Sequence, residues 1–217
     1  MKKWLARMEY KFGRKAIPNL MMTVVIGMAL VFAADLLNPT VNLQSYLTLD
    51  RSALLHGQVW RLLTFVFLPP DSSLLFIAFS LYFYYWIGGS LEHTWGAFRF
   101  NLYYLCGMLG AIAACLITGS STNFYLNMSL FFAFAALYPD MQLMLFFVIP
   151  VKVKWLAWLD AAFYVYAFLI SGWPVRAALL MSLVNFFLFF GPDLFRRIFH
   201  DARYWKTRAQ FRRSNRR

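Results

Sequence analysis

The chain has 217 residues, of which 61% are hydrophobic, 20% aromatic and only 14% charged, and its mean hydropathy is +0.56. So little charge excludes an ordinary soluble domain and places the chain in lipid. The net charge of +12 does not argue for nucleic acid, because the 21 Lys and Arg gather near the two ends, where topology and anionic headgroups require them; membrane lipids are the expected partner and nucleic acid is not.

A bilayer core about 30 Å thick takes on the order of 20 apolar residues per helix, which leaves room for six spans. Residues 1–17 read as a basic interfacial segment, and no small-residue cleavage site follows convincingly, so a retained cytoplasmic N-terminus is expected rather than a signal peptide. Spans are predicted at Pro18–Leu37, Leu74–Glu92, Phe100–Thr118, Asn123–Tyr138, Trp155–Ser171 and Pro174–Gly191. They make an all-α polytopic membrane domain over residues 18–191, followed by a basic cytoplasmic tail over 192–217. The tail reads first as a topogenic, lipid-binding segment and second as a recruiter of a cytosolic machine.

The longest connection, Asn38–Ser73, mixes polar residues with Leu54, Leu55, Val59, Trp60 and Phe65 and is expected to lie at the membrane interface. The apolar stretch Met141–Val151 is too short to span and carries Pro150, so it reads as a buried or re-entrant connection. Cys106 and Cys115, nine residues apart in one predicted helix, fall on opposite faces at about 100° per residue and form no intrahelical disulfide. With the N-terminus inside, 18 of the 21 basic residues fall on the cytoplasmic side, leaving Arg51, Arg61 and Arg176 outside. The positive-inside rule therefore favours an even number of spans with both termini cytoplasmic.

The phrase Gly57-Gln58-Val59-Trp60-Arg61-Leu62-Leu63-Thr64-Phe65 lies between the first two spans. Further on come Ile87-Gly88-Gly89-Ser90-Leu91-Glu92, then Trp95-Gly96 and Phe98-Arg99-Phe100, Leu137-Tyr138-Pro139-Asp140 and Val151-Lys152-Val153-Lys154-Trp155-Leu156. In order and spacing these elements resemble the rhomboid superfamily, including the derlins, over nearly the whole span region. The resemblance implies a six-helix rhomboid-like bundle in which Trp60, Arg61, Gly88, Glu92 and Gly96 are structural motif positions. Arg61 is expected to tether the long loop, and Glu92 the cytoplasmic end of the second helix.

Fold does not carry function with it. Rhomboid proteases use Gly-x-Ser-Gly at the start of the fourth helix, a His in the sixth and a His-x-x-x-Asn in the second. A serine hydroxyl is a weak nucleophile until an imidazole takes its proton, and the anionic intermediate needs donors. Here the nucleophile position falls on Phe124, the oxyanion pair on Phe76 and Ser80, and the base position near Leu179. There is no Gly-x-Ser-Gly, and His56, His93 and His200 are the only histidines, none within the fifth or sixth span. These departures point to a pseudoprotease and weigh against enzymatic activity without closing the question.

Four of the polar residues inside the apolar spans are candidates for a client-binding or cavity role. Ser129 reads as a helix-packing serine, the sharper alternative being a displaced nucleophile. Asn127 and Asn185 read as interhelical hydrogen-bond formers, or as the lining of a cavity that receives a client's backbone. Asp160 must be paired, protonated or near water, with Lys152, Lys154 or a helix end as the expected partner and a proton or ion pathway as the alternative. The histidines lack metal-ligand spacing, so no metal and no cofactor is expected.

The function implied is that of a noncatalytic rhomboid-like protein that binds transmembrane clients laterally, in membrane-protein quality control, assembly or extraction. The alternative is an intramembrane serine protease with an unconventional active site. A bacterial plasma membrane is the location suggested by compact size.

Overall fold

The computed structural model describes residues 7–11, 13–38, 42–70, 74–145 and 149–190, the side chains of 145 and 149 excepted. The expected tail over 192–217 and the first six residues of the interfacial segment lie outside the described residues.

The described chain is mostly helical. Long apolar helices run over Leu20–Leu37 (α1), Leu74–Trp95 (α5), Ala97–Thr118 (α6), Val153–Ile170 (α8) and Trp173–Phe190 (α9). Among the described residues five helices are long and apolar enough to cross a membrane. Three short helices, Leu43–Leu47 (α2), Arg51–Leu55 (α3) and Arg61–Thr64 (α4), fill the connection between α1 and α5. The predicted fourth span appears as Phe124–Leu137 (α7), apolar but only 14 residues long. At about 1.5 Å per residue it covers roughly 21 Å, less than the bilayer core.

Apolar side chains at helical spacing build the core. Met21, Val24 and Met28 of α1 are buried and face α5, the helix α1 packs against most extensively. The contact is close because position 88 is glycine: a Cβ there would run into the Met21 side chain. Glu92 fastens the same end, its Oε1 accepting from the Asn19 N–H at 2.7 Å. A single residue, Gly96, separates α5 from α6, with φ +84, in the region that costs a side chain most. On the far side of the bundle Trp95, Tyr103, Phe189 and Phe190 form one aromatic cluster, and Phe132, Tyr164 and Phe186 form another. Outside the core, Leu30, Leu36, Trp158 and Leu169 are exposed, as lipid-facing residues are in a membrane protein.

The connection over residues 42–70 is ordered by specific hydrogen bonds. Leu49–Asp50 (β1) pairs antiparallel with Ser120–Ser121 (β2), and the Arg51 N–H donates to Gly119 O at 2.7 Å. The guanidinium of Arg61, itself buried, donates to Ser45 O at 2.7 Å, Thr48 O at 2.6 Å and Gln58 Oε1 at 2.7 Å. Trp60, Val59, Leu55 and Leu63 remain exposed beside it, a pattern suited to headgroup depth.

The stretch expected as a buried or re-entrant connection is a β-hairpin. Gln142–Leu145 (β3) pairs antiparallel with Ile149–Lys152 (β4), and Gln142 and Met144 are exposed. The two strands satisfy each other's backbone, so the apolar run needs no burial to find hydrogen-bond partners. Pro150, opposite Met144, is accommodated because a two-stranded ribbon has only edge strands.

Candidate functional site

The short helix α7 lies between α5 and α8, and its seating is set from its first turn. The Asn123 amide is buried and donates to Val66 O at 3.1 Å and Leu68 O at 2.8 Å, tying the start of α7 to the interfacial connection. Further along α7, Ser129 donates to Leu126 O at 2.7 Å in its own helix. The Tyr103 hydroxyl of α6 donates to Ser129 O at 2.9 Å. The serine hydroxyl is thus spent locally, and among the described residues no imidazole reaches it. That arrangement is helix packing, with none of the activation a nucleophile needs.

Between α5 and α8, with α7 as its floor, an open cleft of about 620 Å³ is lined by Phe79, Ser80, Phe83, Tyr84 and Ile87 of α5, by Asn127, Met128, Leu130 and Phe131 of α7, and by Leu156, Leu159, Asp160 and Phe163 of α8. Its size falls in the range of ligand clefts, roughly 300–1,000 Å³, and its walls are almost wholly apolar. Four polar side chains break that surface, Ser80, Tyr84, Asn127 and Asp160, and the Asn127 amide donates towards the Tyr84 hydroxyl. Asn127 is 4% exposed and its Oδ1 is buried without a hydrogen-bond partner; the buried Oδ2 of Asp160 is likewise unpartnered. Among the described residues Asp160 forms the expected ion pair with neither Lys152 nor Lys154, and Lys154 Nζ donates to Asp140 at 3.2 Å instead.

Other candidate residues lie elsewhere. Asn185 of α9 is buried and reaches Tyr103 O at 3.5 Å, beside a small cavity of about 20 Å³ among α6, α7 and α9 that Ser129 and Ser182 also line. That cavity holds one water at most. Leu179 is buried. Phe124 is exposed at the start of α7 and packs edge-on against Tyr125. Phe76 is exposed near the start of α5, whereas Ser80, one turn on, lines the cleft. The Ser182 hydroxyl meets the Tyr164 hydroxyl at 3.1 Å, so an aromatic side chain from α8 stands beside α9 where the resemblance places a catalytic histidine's helix.

Of the polar residues singled out from the sequence, the structure brings Asn127 and Asp160 to one cleft and sets Ser129 and Asn185 at another. Sequence reasoning did not identify the walls, Phe79, Phe83, Leu156 and Phe163, or the anchoring role of Asn123. The i, i+4 spacing of Asn123 and Asn127 was the available signal, since two amides on one face of an apolar helix each require a partner. Among the described residues no group of three His, Cys, Asp or Glu side chains is placed to hold a metal ion.

The family model described as Eukaryotic integral membrane protein (DUF1751) matches residues 19–190, which include all six apolar helices; the chain belongs to that family and is a multi-pass integral membrane protein. The family's description is eukaryotic, so it lends nothing to the bacterial plasma membrane suggested by size. No curated protein sequence matches the chain.

Proposed function

We propose that this protein is a noncatalytic rhomboid-like membrane protein with six membrane-crossing helices and both termini cytoplasmic. It binds transmembrane segments of client proteins laterally, in the cleft between α5 and α8, and serves their quality control, assembly or extraction. The observation that carries the reading is the cleft itself: an apolar opening of about 620 Å³ between two long helices, floored by a helix too short for the bilayer. Lipid against a 14-residue apolar helix must thin locally, which lowers the barrier for a client helix of marginal hydrophobicity. The replaced nucleophile and base at Phe124 and Leu179 and the changed oxyanion pair at Phe76 and Ser80, together with the local hydrogen bond of Ser129, support binding without cleavage.

The test is photo-crosslinking of a defined single-span helix to the full chain in vesicles. A diazirine amino acid at Phe163, which lines the cleft, should capture the helix, and one at Trp158, exposed on the same helix but outside the cleft, should not. Equal capture at both positions, or none at either, refutes lateral binding at this site. Cleavage of a rhomboid substrate by the purified protein, lost in Ser129→Ala, would establish a protease instead.

A further inference from the structure

The two unpartnered oxygens define what the cleft accepts. An apolar opening in a membrane is satisfied by any lipid tail or leucine-rich helix, but a buried carboxyl oxygen and a buried amide oxygen are not, because neither finds a donor in hydrocarbon. Both Asn127 Oδ1 and Asp160 Oδ2 lack a hydrogen-bond partner, and both residues line the same cleft. No basic side chain is among the residues that line it, and the nearest basic residue in sequence, Lys154, is engaged by Asp140.

We propose that the cleft selects transmembrane helices carrying a lysine or arginine at mid-membrane depth, the basic group being taken up by Asp160 and Asn127 together. This inference rests on the lateral client binding proposed above and names the chemistry of the client. A lysine ammonium offers three donors and an arginine guanidinium five, so one basic group carries donors enough for both oxygens, and Asp160 neutralises its charge. Each partner relieves the other of the penalty that a lone ionised group meets in the bilayer.

Depth argues for a helix over a lipid headgroup. Asp160 lies seven residues into α8 and ten from its other end, about 10 Å and 15 Å along the helix at about 1.5 Å per residue. The amine of a lipid headgroup sits at the membrane surface, whereas a basic residue in the middle of a client span arrives at the carboxyl directly.

The experiment reconstitutes the full chain, with the diazirine amino acid at Phe163, in phosphatidylcholine–phosphatidylglycerol vesicles with a leucine-rich guest helix whose central residue is Leu, Lys or Asp. The Lys guest should be captured about tenfold more than the Leu guest, a ratio within reach of one intramembrane polar contact, and the Asp guest no more than the Leu guest. Asp160→Leu should bring the Lys-to-Leu ratio close to one. In Asp160→Lys the preference should invert towards the Asp guest, a gain that a misfolded variant does not produce. Equal capture of all three guests by the unaltered protein overturns the selectivity and leaves lateral binding standing. Capture of none overturns both readings. Loss of all guest capture when phosphatidylethanolamine is added would assign the site to a lipid amine and overturn the inference.

Discussion

Arg61 is the perturbation whose magnitude the structure fixes best. Its side chain is 7% exposed, and one nitrogen, Nη1, serves the carbonyls of Ser45 and Thr48 while Nε holds Gln58. A hydrogen bond from a charged donor contributes roughly 1.5–3 kcal/mol. The two carbonyls belong to a connection only partly buried, where water replaces a lost donor in part, so the low end applies to each. Arg61→Ala should therefore cost about 3 kcal/mol. Arg61→Lys keeps the charge but replaces a planar fork with a point donor and should recover about half of that. The assay is reversible unfolding in mixed micelles followed by tryptophan fluorescence, paired with limited chymotrypsin digestion. New cuts should appear in residues 42–68, where Tyr46, Trp60 and Phe65 lie, before any helix is lost. If both variants stay within about 0.5 kcal/mol of the parent, well inside the expected difference, and the digest is unchanged, Arg61 does not organise the connection.

Gly88→Ala should destabilise the α1–α5 contact by about 1–3 kcal/mol, since overpacking outweighs a helix-propensity gain of at most about 1 kcal/mol. Because the added Cβ meets Met21 Cβ as well as its Cγ, the companion Met21→Ala should fail to restore stability; full rescue in the double variant would show that side-chain rotation relieves the clash. Ser129→Ala should change stability by less than about 0.5 kcal/mol, its bond being local. Tyr103→Phe, which removes a donor from buried Ser129 O, should cost up to about 1.7 kcal/mol by the same unfolding assay. A larger effect at Ser129 than at Tyr103 would reverse this assignment.

The long spans were legible because length and hydropathy are read along a single helix, without knowledge of its neighbours. Arg61 and Glu92 were singled out by the family resemblance alone, and the backbone groups they hold, Ser45 O and Thr48 O for one and Asn19 N–H for the other, carry no mark in the sequence. The segment around Met141–Val151 was misread because a continuous apolar run carries no period, and without alternation a strand pair looks like a buried connection. The cleft was illegible for a third reason. Asn127 and Asp160 lie 33 positions apart on different helices, and nothing in either local sequence states that both face the gap left beside α5. The reach of Lys154 was misjudged on the same ground, since Asp140 meets it across the turn where the hairpin passes into α8, while Asp160 lies on another face of its own helix.

The one-residue turn at Gly96 has a mechanical consequence. It makes α5 and α6 the two arms of a stiff V, and α5 is pinned again where Gly88 admits Met21 and Glu92 holds Asn19. One wall of the cleft is therefore braced at its Gly88–Gly96 end. The opposite wall, α8, is the least embedded of the five long helices, with 11% of its apolar window buried against 22% for α5 and 39% for α9. It is held at its ends, where the Val153 and Lys154 N–H groups bond Met141 O and Pro139 O and where Arg176 caps the carbonyls of Phe168 and Leu169, and between them by Tyr164, which meets the Ser182 hydroxyl and packs edge-on against Phe132. Of the two walls α8 is therefore the less embedded, and a guest wider than the resting gap displaces α8 before it displaces the α5–α6 arm.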